Sequence, residues 1–310
     1  MSLAIAPRTV GTEQQMPRHF LDIRDFSGDV IRQIINLSAR VKALQNNRAR
    51  PLHPERPLEG RTLGLMLAQP STRTRVSFEV GMGQLGGQVS VLSPGDMQLG
   101  RGETIADTAR VLSRFLDVIV LRTGKDENLR ELAKWSTVPV INGLTPVSHP
   151  IQILADVLTF EEHRGPITGK TLAWIGDGNN VATSLMEAAA LLKFNVRLAT
   201  PTGFAPSERA VRWARENGAS IEIFHDPAEA VAGADAVLTD TWVSMGDKDR
   251  EERLEAFRPY QVDAALMAKA APEALFLHCL PAHIGEEVTT DVFESPASVV
   301  FDEAENRLHT

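Results

Sequence analysis

Hydroxyl and guanidinium side chains are concentrated at Ser71-Thr72-Arg73-Thr74, directly after an apolar run and before a predicted helix. Hydroxyl groups, an arginine and the free backbone N–H groups of a helix N-terminus together form a site for an anion, and the helix dipole adds to the attraction. A Ser or Thr before a helix is commonly only an N-cap, but two interleaved arginines exceed what a cap requires. Arg73 and Arg75 lie two residues apart and cannot face the same way. The sequence therefore predicts a phosphate site that uses Arg73, with Arg75 paired with Glu79.

His149 and Gln152 form a second candidate, at the start of another apolar helical run. Pro150 between them is preorganised for the first helical position, and residues three apart project from one face of a helix. A histidine at a helix start is more often a cap than a catalyst, so the residues alone leave both interpretations open. Arg122 ends a predicted strand, where an arginine reaches either a ligand or solvent.

The turn from Gly176 to Asn180 resembles a dinucleotide-binding turn at its first two glycines. It lacks the third glycine, which Val181 replaces, and no acidic residue follows the next predicted strand. A nicotinamide-dependent dehydrogenase is therefore only a distant alternative. An asparagine such as Asn180 in this loop either holds a substrate carboxylate or adopts a left-handed turn.

Two further polar groups follow predicted strands in the second half of the chain. Asp240 and Ser244 emerge at one sheet edge, where a carboxylate can bind an ammonium group or simply cap a helix. Cys279 ends the last clear strand, and a lone buried cysteine is usually inert packing. Its position near Pro281, at the carboxyl end of a predicted strand, modestly favours a functional role.

Apolar runs and helical periods alternate along the chain, and they place these candidates at strand ends. We predict strands near 62–67, 88–92, 118–121, 138–141, 171–175, 196–199, 221–224, 236–239 and 275–278. We predict helices near 27–43, 72–85, 104–115, 127–135, 150–163, 182–192, 207–216, 228–231 and 261–270. This alternation indicates an α/β protein with two parallel-sheet domains, 18–164 and 165–310, after a loose leader over 1–17.

Composition narrows the class of protein. The 310 residues carry a net charge of −8 and are 43% hydrophobic. An acidic chain without a Lys/Arg-rich run is a poor candidate for binding nucleic acid or an anionic membrane, and no apolar run reaches the ~20 residues that span a bilayer. A single cysteine excludes an intrachain disulfide and a multi-thiolate zinc site, and the first residues lack a signal or transit pattern. We expect a soluble, cytoplasmic protein.

Taken together, the motifs resemble those of the aspartate/ornithine carbamoyltransferase family, over nearly the whole chain from Arg18 to Arg307. The segments 71–75 and 149–152 are similar to the carbamoyl phosphate motifs of the entire family. The segments 240–246 and 278–281 are similar to ornithine-side motifs that the aspartate enzymes lack.

The resemblance implies a carbamoyl phosphate domain (18–164) and an ornithine domain (165–310), with the active site in the cleft between them. It implies phosphate contacts from Ser71, Thr72, Arg73 and Thr74, carbamoyl contacts from Arg122, His149, Gln152, Cys279, Leu280 and Arg307, and ornithine contacts from Asn180, Asp240, Ser244 and Met245. It also implies a homotrimer in which Gln98 reaches the neighbouring subunit's carbamoyl phosphate site, and chemistry without a metal or organic cofactor.

The implied reaction is transfer of the carbamoyl group of carbamoyl phosphate to the side-chain amine of L-ornithine, giving L-citrulline and phosphate. Arg122 and His149 would act on the carbonyl oxygen, and Cys279 would orient the amine. Two departures stand out: Gln69 replaces a lysine frequent in the family, and the chain stops at Thr310, before a usual last helix.

Two competing functions are weighed against this one. An enzyme with another amine acceptor, such as putrescine, has no use for groups that bind an α-amino acid, so Asn180, Asp240 and Ser244 disfavour it. A non-catalytic ligand-binding or regulatory protein is disfavoured by the intact anion motif at 71–75.

Overall fold

The computed structural model describes residues 18–45, 53–93, 102–243 and 249–310. Within these ranges the chain forms two parallel β-sheets, one following the other in sequence. This confirms the predicted fold class, an α/β protein with two parallel-sheet domains. None of the helices in the described ranges is long and apolar enough to cross a membrane.

The first sheet has four strands in the order β2-β1-β3-β4. The strands are β1 (Thr62–Leu67), β2 (Gln88–Leu92), β3 (Val118–Arg122) and β4 (Val140–Leu144). The helices of this half are α1 (Gly28–Gln45), α2 (Thr72–Gln84), α3 (Ile105–Leu112) and α4 (Asp126–Trp135). All residues of β1 after its first are buried, as expected for a central strand with both faces covered.

The second sheet has five strands in the order β7-β6-β5-β8-β9. The strands are β5 (Thr171–Ile175), β6 (Asn195–Ala199), β7 (Ser220–Phe224), β8 (Ala236–Thr239) and β9 (Leu275–His278). The helices are α5 (Pro150–Arg164), α6 (Asn180–Leu192), α7 (Glu208–Glu216), α8 (Pro227–Val231), α9 (Arg250–Phe257), α10 (Ala264–Met267), α11 (Thr290–Phe293) and α12 (Val300–Asn306).

The strand order reverses once in each sheet, and these reversals position the candidate residues. In the first sheet the chain runs outward from β1 to β2 and then returns to the other side of β1 as β3. In the second sheet it runs from β5 through β6 to β7 and returns beside β5 as β8. The carboxyl ends of strands at such a switch point form a crevice, which is where open α/β sheets bind ligands.

Helix α5 connects the two halves and is buried without interruption from Pro150 to Phe160. It packs against α1, α6, α12 and β4, so it is covered by elements from both ends of the chain. Ile31 and Ile35 of α1 belong to the same hydrophobic cluster as Trp174 of β5. The first long helix of the chain therefore packs into the core beside the second sheet.

Three predicted elements differ from the structure by three residues at one end or both, and the other predicted elements differ by two residues or fewer. The strand predicted at 138–141 lies at Val140–Leu144, where Val140 pairs with Ile119 and the carbonyl of Pro139 accepts from the Ile119 N–H. The helix predicted near 261–270 is limited to α10, because Val262 forms a bridge with Val288 and Asp263 caps the helix by accepting from the Leu266 N–H at 2.7 Å. The helix predicted to extend to residue 115 ends at Leu112. Beyond it, the Arg114 and Phe115 N–H groups donate to carbonyls three residues back, as in tight turns.

Candidate active site

The N-terminus of α2 lies at the carboxyl end of β1 and is built as the anion motif predicts. Ser71 caps the helix: its hydroxyl oxygen accepts from the Thr74 N–H at 3.4 Å, and its O–H donates to Thr74 Oγ1 at 3.0 Å. Arg75 forms an ion pair with Glu79 at 3.2 Å, which confirms the predicted pairing. Arg73 is half-buried and makes no hydrogen bond or ion pair to any described residue. Of the two arginines, Arg73 is the one available to a ligand.

Arg122, at the end of β3, faces the same place. Its Nη1 donates to Thr74 Oγ1 at 3.4 Å, and its buried Nε has no partner among the described residues. Burial, followed by the positive charge of Arg73, lowers the pKa of Arg122. Two neighbouring guanidinium groups repel each other, and an anion bound between them would offset this repulsion.

His149 precedes α5 and is 4% exposed, but its side chain makes no capping hydrogen bond. Its backbone N–H donates to Ser184 Oγ at 2.9 Å, which fixes the start of α5 to α6, while Nδ1 has no partner among the described residues. Burial lowers the pKa of His149 well below its ordinary value, and the positive charge of Arg307 adds to this effect. The imidazole is therefore neutral at pH 7 and can donate one hydrogen bond to a ligand.

Arg307, which follows α12, adds a third guanidinium to this cluster. It is 7% exposed, and its Nε and Nη2 have no partner within the described ranges. Burial lowers its pKa to about 10, so it stays protonated at pH 7. Its Nη1 donates to Gln152 Oε1 at 2.5 Å. Gln152 in turn donates from Nε2 to Asp156 at 2.8 Å and to Glu303 at 2.7 Å, so the protein already engages both ends of this amide.

The carboxylate of Asp240 lies at the end of β8, in the second switch-point crevice. It accepts from Cys279 Sγ at 3.0 Å, from the Thr241 N–H at 2.7 Å and from Asn179 Nδ2 at 2.8 Å. Burial raises the pKa of Cys279 well above its ordinary value, and the negative charge of Asp240 reinforces the shift. Cys279 is therefore a neutral thiol that donates a hydrogen bond, and it is not poised as a nucleophilic thiolate.

The two asparagines after β5 make contacts that the sequence does not predict. Asn180 donates from Nδ2 to the carbonyl of Thr145 at 2.7 Å, which ties α6 to the loop before α5. Asn179, which the sequence analysis did not single out, caps α6 and holds Asp240. The available signal for Asn179 was its place directly before a predicted helix. Gly178 has a packing role, because a Cβ there would fall 2.2 Å from the Pro206 nitrogen.

The structure brings together residues that are far apart in sequence. Arg73 and Arg122 from the first half interact electrostatically with Arg307, and Arg122 also interacts with Cys279. Leu280, next to Cys279, has a left-handed backbone at φ 56°, and its N–H donates to His278 Nδ1 at 2.9 Å. Gln98, Ser244 and Met245 lie outside the described residues, so their assigned roles stay predictions.

Ligand atoms of Asp240, His278 and Cys279 lie within 4.8 Å of one another. Both ring nitrogens of His278 are already engaged, Nδ1 by the Leu280 N–H and Nε2 by Glu287 at 3.1 Å. His278 is therefore part of the support of this loop, and we assign no metal to the group. The predicted absence of a metal or organic cofactor stays a prediction.

Comparisons with known proteins agree with this geometry. Residues 18–162 match the carbamoyl-P binding domain of aspartate/ornithine carbamoyltransferase, and residues 168–310 match its Asp/Orn binding domain. The chain is 57% identical over 294 residues to an ornithine carbamoyltransferase of Rhodopseudomonas palustris, covering 94% of each chain. It is also 57% identical over 293 residues to that of Nitrobacter winogradskyi, again covering 94% of each chain.

Solved structures extend the likeness to three dimensions. The ornithine carbamoyltransferase of Pyrococcus furiosus is 49% identical with a TM-score of 0.89, and the match covers 94% of both chains. That of Thermus thermophilus is 39% identical with a TM-score of 0.86, covering 95% of this chain and 96% of the other. On these matches, which span both sheets and every described motif, the chain belongs to the aspartate/ornithine carbamoyltransferase family.

Proposed function

We propose that this chain transfers the carbamoyl group of carbamoyl phosphate to the side-chain amine of L-ornithine, giving L-citrulline and phosphate. The observation that carries the proposal is the convergence of Arg73, Arg122 and Arg307 on one partly buried place beside the Asp240–Cys279 pair. The name that the two relatives described above carry, ornithine carbamoyltransferase, supports the choice of acceptor. In this proposal 18–164 binds carbamoyl phosphate and 165–310 binds ornithine.

Carbamoyl phosphate is a compact anion with a carbonyl group, and the first crevice suits both parts. Ser71, Thr72, Arg73 and Thr74 would hold the phosphate at the N-terminus of α2, where the helix dipole favours negative charge. The unpartnered N–H groups of Arg122, His149 and Arg307 would meet the remaining oxygens. Gln152 and Leu280 complete the carbamoyl contacts that we propose.

The chemical step forms one C–N bond and breaks one C–O bond. The neutral amine of ornithine attacks the carbonyl carbon, and negative charge develops on the carbonyl oxygen, where Arg122, His149 and Thr74 donate. The phosphate leaves while still bound at α2 and takes the proton of the amine. His149 acts as a donor, because a neutral imidazole whose pKa is lowered is a weak base. Holding both substrates in one site supplies much of the remaining acceleration.

Ornithine would be bound at the second crevice. The Asp240 carboxylate, held by three protein donors, would pair with the α-ammonium group, and Asn180 would contact the α-carboxylate. Ser244 and Met245 are proposed to contact the same substrate, and Cys279 would orient the attacking amine. This arrangement requires an acceptor that carries both an α-amino group and a side-chain amine.

A citrulline assay tests the proposal directly. The unmodified protein, given carbamoyl phosphate and a panel of amines, should convert L-ornithine far faster than putrescine, since putrescine lacks the α-carboxylate. Equal use of the two amines would contradict the assignment of the ornithine site. Failure to form any carbamoylated product would contradict the proposed activity as a whole.

We also propose that the protein works as a homotrimer in the cytoplasm. The trimer rests on the resemblance at Gln98, which would complete the site of a neighbouring subunit. The cytoplasm is supported by the use of a single cysteine, Cys279, which suits a reducing compartment.

A further inference from the structure

Two carboxyl groups lie buried behind Arg307 and have no role in the transfer step described above. Asp156 on α5 is 3% exposed and Glu303 on α12 is 1% exposed. Both groups accept from one nitrogen, Gln152 Nε2, and their side chains lie close enough to share a hydrogen bond. A hydrogen bond between two carboxyl groups requires a proton on one of them, so the pair carries one negative charge and not two. Burial raises the pKa of both groups, which favours retention of this proton.

The surrounding donors distinguish the two carboxyl groups. Glu303 accepts on both oxygens, from Gln152 Nε2 at 2.7 Å and from the His278 backbone N–H at 2.8 Å. Asp156 accepts from Gln152 Nε2 on Oδ1, at 2.8 Å. An amide in place of a carboxyl group has one acceptor oxygen, since its NH2 group can only donate. Glu303 therefore needs both of its oxygens as acceptors, whereas Asp156 needs only Oδ1. The other charged groups that face the pair are Arg307 and Asp240.

The two acceptors together determine the orientation of the Gln152 amide. Both N–H bonds of its Nε2 are directed at Asp156 and Glu303, so Oε1 points the other way and accepts from Arg307 Nη1 at 2.5 Å. A reversed amide would place its NH2 group against the guanidinium, donor against donor. Nε and Nη2 of Arg307 then remain without partners in the described part of the chain, beside the charge of Arg122.

We propose that Asp156 and Glu303, which share one proton, are positioning residues for carbamoyl phosphate: they orient Gln152, and Gln152 holds the guanidinium of Arg307 towards the ligand. This inference rests on the proposed function. Glu303 also accepts from His278, the residue before Cys279, so one carboxylate positions both Arg307 and the end of β9. Neither carboxyl group touches the substrates in this arrangement.

Amide substitutions of equal size separate the two carboxyl groups. Asp156→Asn keeps the oxygen that accepts from Gln152 and adds an NH2 group that can donate to Glu303, so the Kd for carbamoyl phosphate should stay within about threefold of the unmodified value. Glu303→Gln places an NH2 group against either Gln152 Nε2 or the His278 N–H, so the Kd should rise by about tenfold or more. Calorimetric titration with carbamoyl phosphate measures both constants, and citrulline kinetics are recorded in parallel.

Thr159→Val is the matched control. It removes another buried hydrogen bond between the same two helices, from Asn306 Nδ2 to Thr159 Oγ1 at 2.8 Å, and leaves Gln152 untouched. This variant should lower the Tm and leave the Kd unchanged. A purely structural role for Glu303 predicts the same behaviour in Glu303→Gln, with a lower Tm and an unchanged Kd, and that result would overturn the proposal.

A double-mutant cycle with Arg307→Ala tests whether Glu303 affects carbamoyl phosphate binding through Arg307. If Glu303 acts through Arg307, Glu303→Gln should change the Kd by less than about twofold in the Arg307→Ala background. An equal increase in both backgrounds would overturn the proposal, as would an Asp156→Asn variant as impaired as Glu303→Gln. If Glu303→Gln does not fold, Glu303→Asp takes its place, because its shorter side chain keeps a carboxyl group but cannot reach both Gln152 and the His278 N–H, and must still weaken binding.

The failure of this inference is distinguishable from failure of the proposed function. An unmodified protein that neither binds carbamoyl phosphate nor forms citrulline contradicts the proposed function. An unmodified protein that binds carbamoyl phosphate normally, with Glu303→Gln binding it equally well, contradicts only the positioning role.

Discussion

Protonation states at single residues decide how this site can act. Burial raises the pKa of Cys279 and lowers that of His149, so the same cause keeps both side chains neutral at pH 7. The positive charge of the site comes from Arg73, Arg122 and Arg307, whose guanidinium groups stay protonated over the physiological range. The site is therefore suited to attract an anion by charge and to orient it by neutral donors.

The reactivity of Cys279 tests its assigned state. As the single cysteine of the chain, it gives an unambiguous signal with a thiol reagent such as dithionitrobenzoate. Because a raised pKa leaves little thiolate, we expect native protein at pH 8 to react at least about tenfold more slowly than urea-unfolded protein. Asp240→Asn removes the neighbouring negative charge and should accelerate the native reaction. Equal rates for native and unfolded protein would contradict the assignment.

Asp240 is expected to govern acceptor binding. Asp240→Asn removes the charge that would pair with the α-ammonium group of ornithine, so the KM for ornithine should rise by about tenfold or more, as for other charge-assisted hydrogen bonds. The KM for carbamoyl phosphate should change far less. Steady-state kinetics with each substrate varied in turn measure both values. A larger effect on carbamoyl phosphate than on ornithine would show that Asp240 serves the other crevice.

The pH dependence of turnover follows from the attacking amine, which must be neutral. Activity should rise from neutral towards alkaline pH as the side-chain amine of ornithine loses its proton. The imidazole of His149, with its lowered pKa, should add no further transition between pH 6 and 9. A pH profile of kcat/KM for ornithine checks this. A profile that falls across this range would exclude attack by the neutral amine.

At the scale of elements, buried ion pairs hold the first half of the chain together. Asp22 is fully buried before the first turn and accepts from Ser148 at 2.5 Å, from Arg130 of α4 at 2.5 Å and from Arg24 at 3.1 Å. Burial alone would raise the pKa of Asp22, but the hydrogen bonds from Ser148 and Arg130 dominate and lower it. The Asp22 carboxylate thereby joins the segment 18–25 to α4 and to the loop before α5.

Removal of Asp22 should destabilise the fold. Asp22→Ala removes the acceptor of the buried Ser148 hydroxyl. It also removes one of two carboxylate partners from Arg130, which keeps Asp126, and from Arg24, which keeps Glu187. We therefore expect a loss of about 2–3 kcal/mol in the free energy of unfolding, as for other buried groups left without a hydrogen-bond partner. Because the pKa of Asp22 is lower in the folded state, its contribution is complete above the unfolded pKa near 4 and is lost as the pH falls below it. Urea denaturation at pH 7 and at pH 3.5 measures both effects. A change below about 1 kcal/mol at pH 7 would contradict this role.

Strands and long helices could be predicted from the sequence because their apolar periods are strong, as for β1, β5 and α5. Short and polar elements could not be predicted: α9 is rich in Arg and Glu, α12 depends on packing against β9 and α5, and α11 on packing against α10. The anion motif at 71–75 could be predicted because one helix start supplies it. The link from Gln152 to Glu303 spans 151 positions and depends on tertiary packing, so no local pattern indicates it.

At the scale of the whole molecule, each active site is predicted to draw on two subunits. Gln98, which lies outside the described residues, would complete a neighbour's site in a closed ring, whereas Arg73 serves its own subunit. If Gln98→Ala and Arg73→Ala are each nearly inactive, random mixing should restore roughly a quarter of the sites with both residues intact, by the geometry of a cyclic trimer. Activity after confirmed subunit exchange measures the recovery. No recovery would place Gln98 within its own chain's site or outside any site.

The central claim is that guanidinium groups from both halves of the chain form one carbamoyl phosphate site, with Arg73 at the phosphate. The chain offers a matched pair for its test, since Arg75 lies on the same helical turn and is occupied by Glu79 at 3.2 Å. The decisive measurement is kcat/KM for carbamoyl phosphate, at saturating ornithine, in Arg73→Ala and Arg75→Ala. We predict a loss of at least about a hundredfold in Arg73→Ala, from charge-assisted bonds to a phosphate, and a change of less than about threefold in Arg75→Ala. Near-normal kcat/KM in Arg73→Ala, or equal losses in the two variants, would contradict the claim.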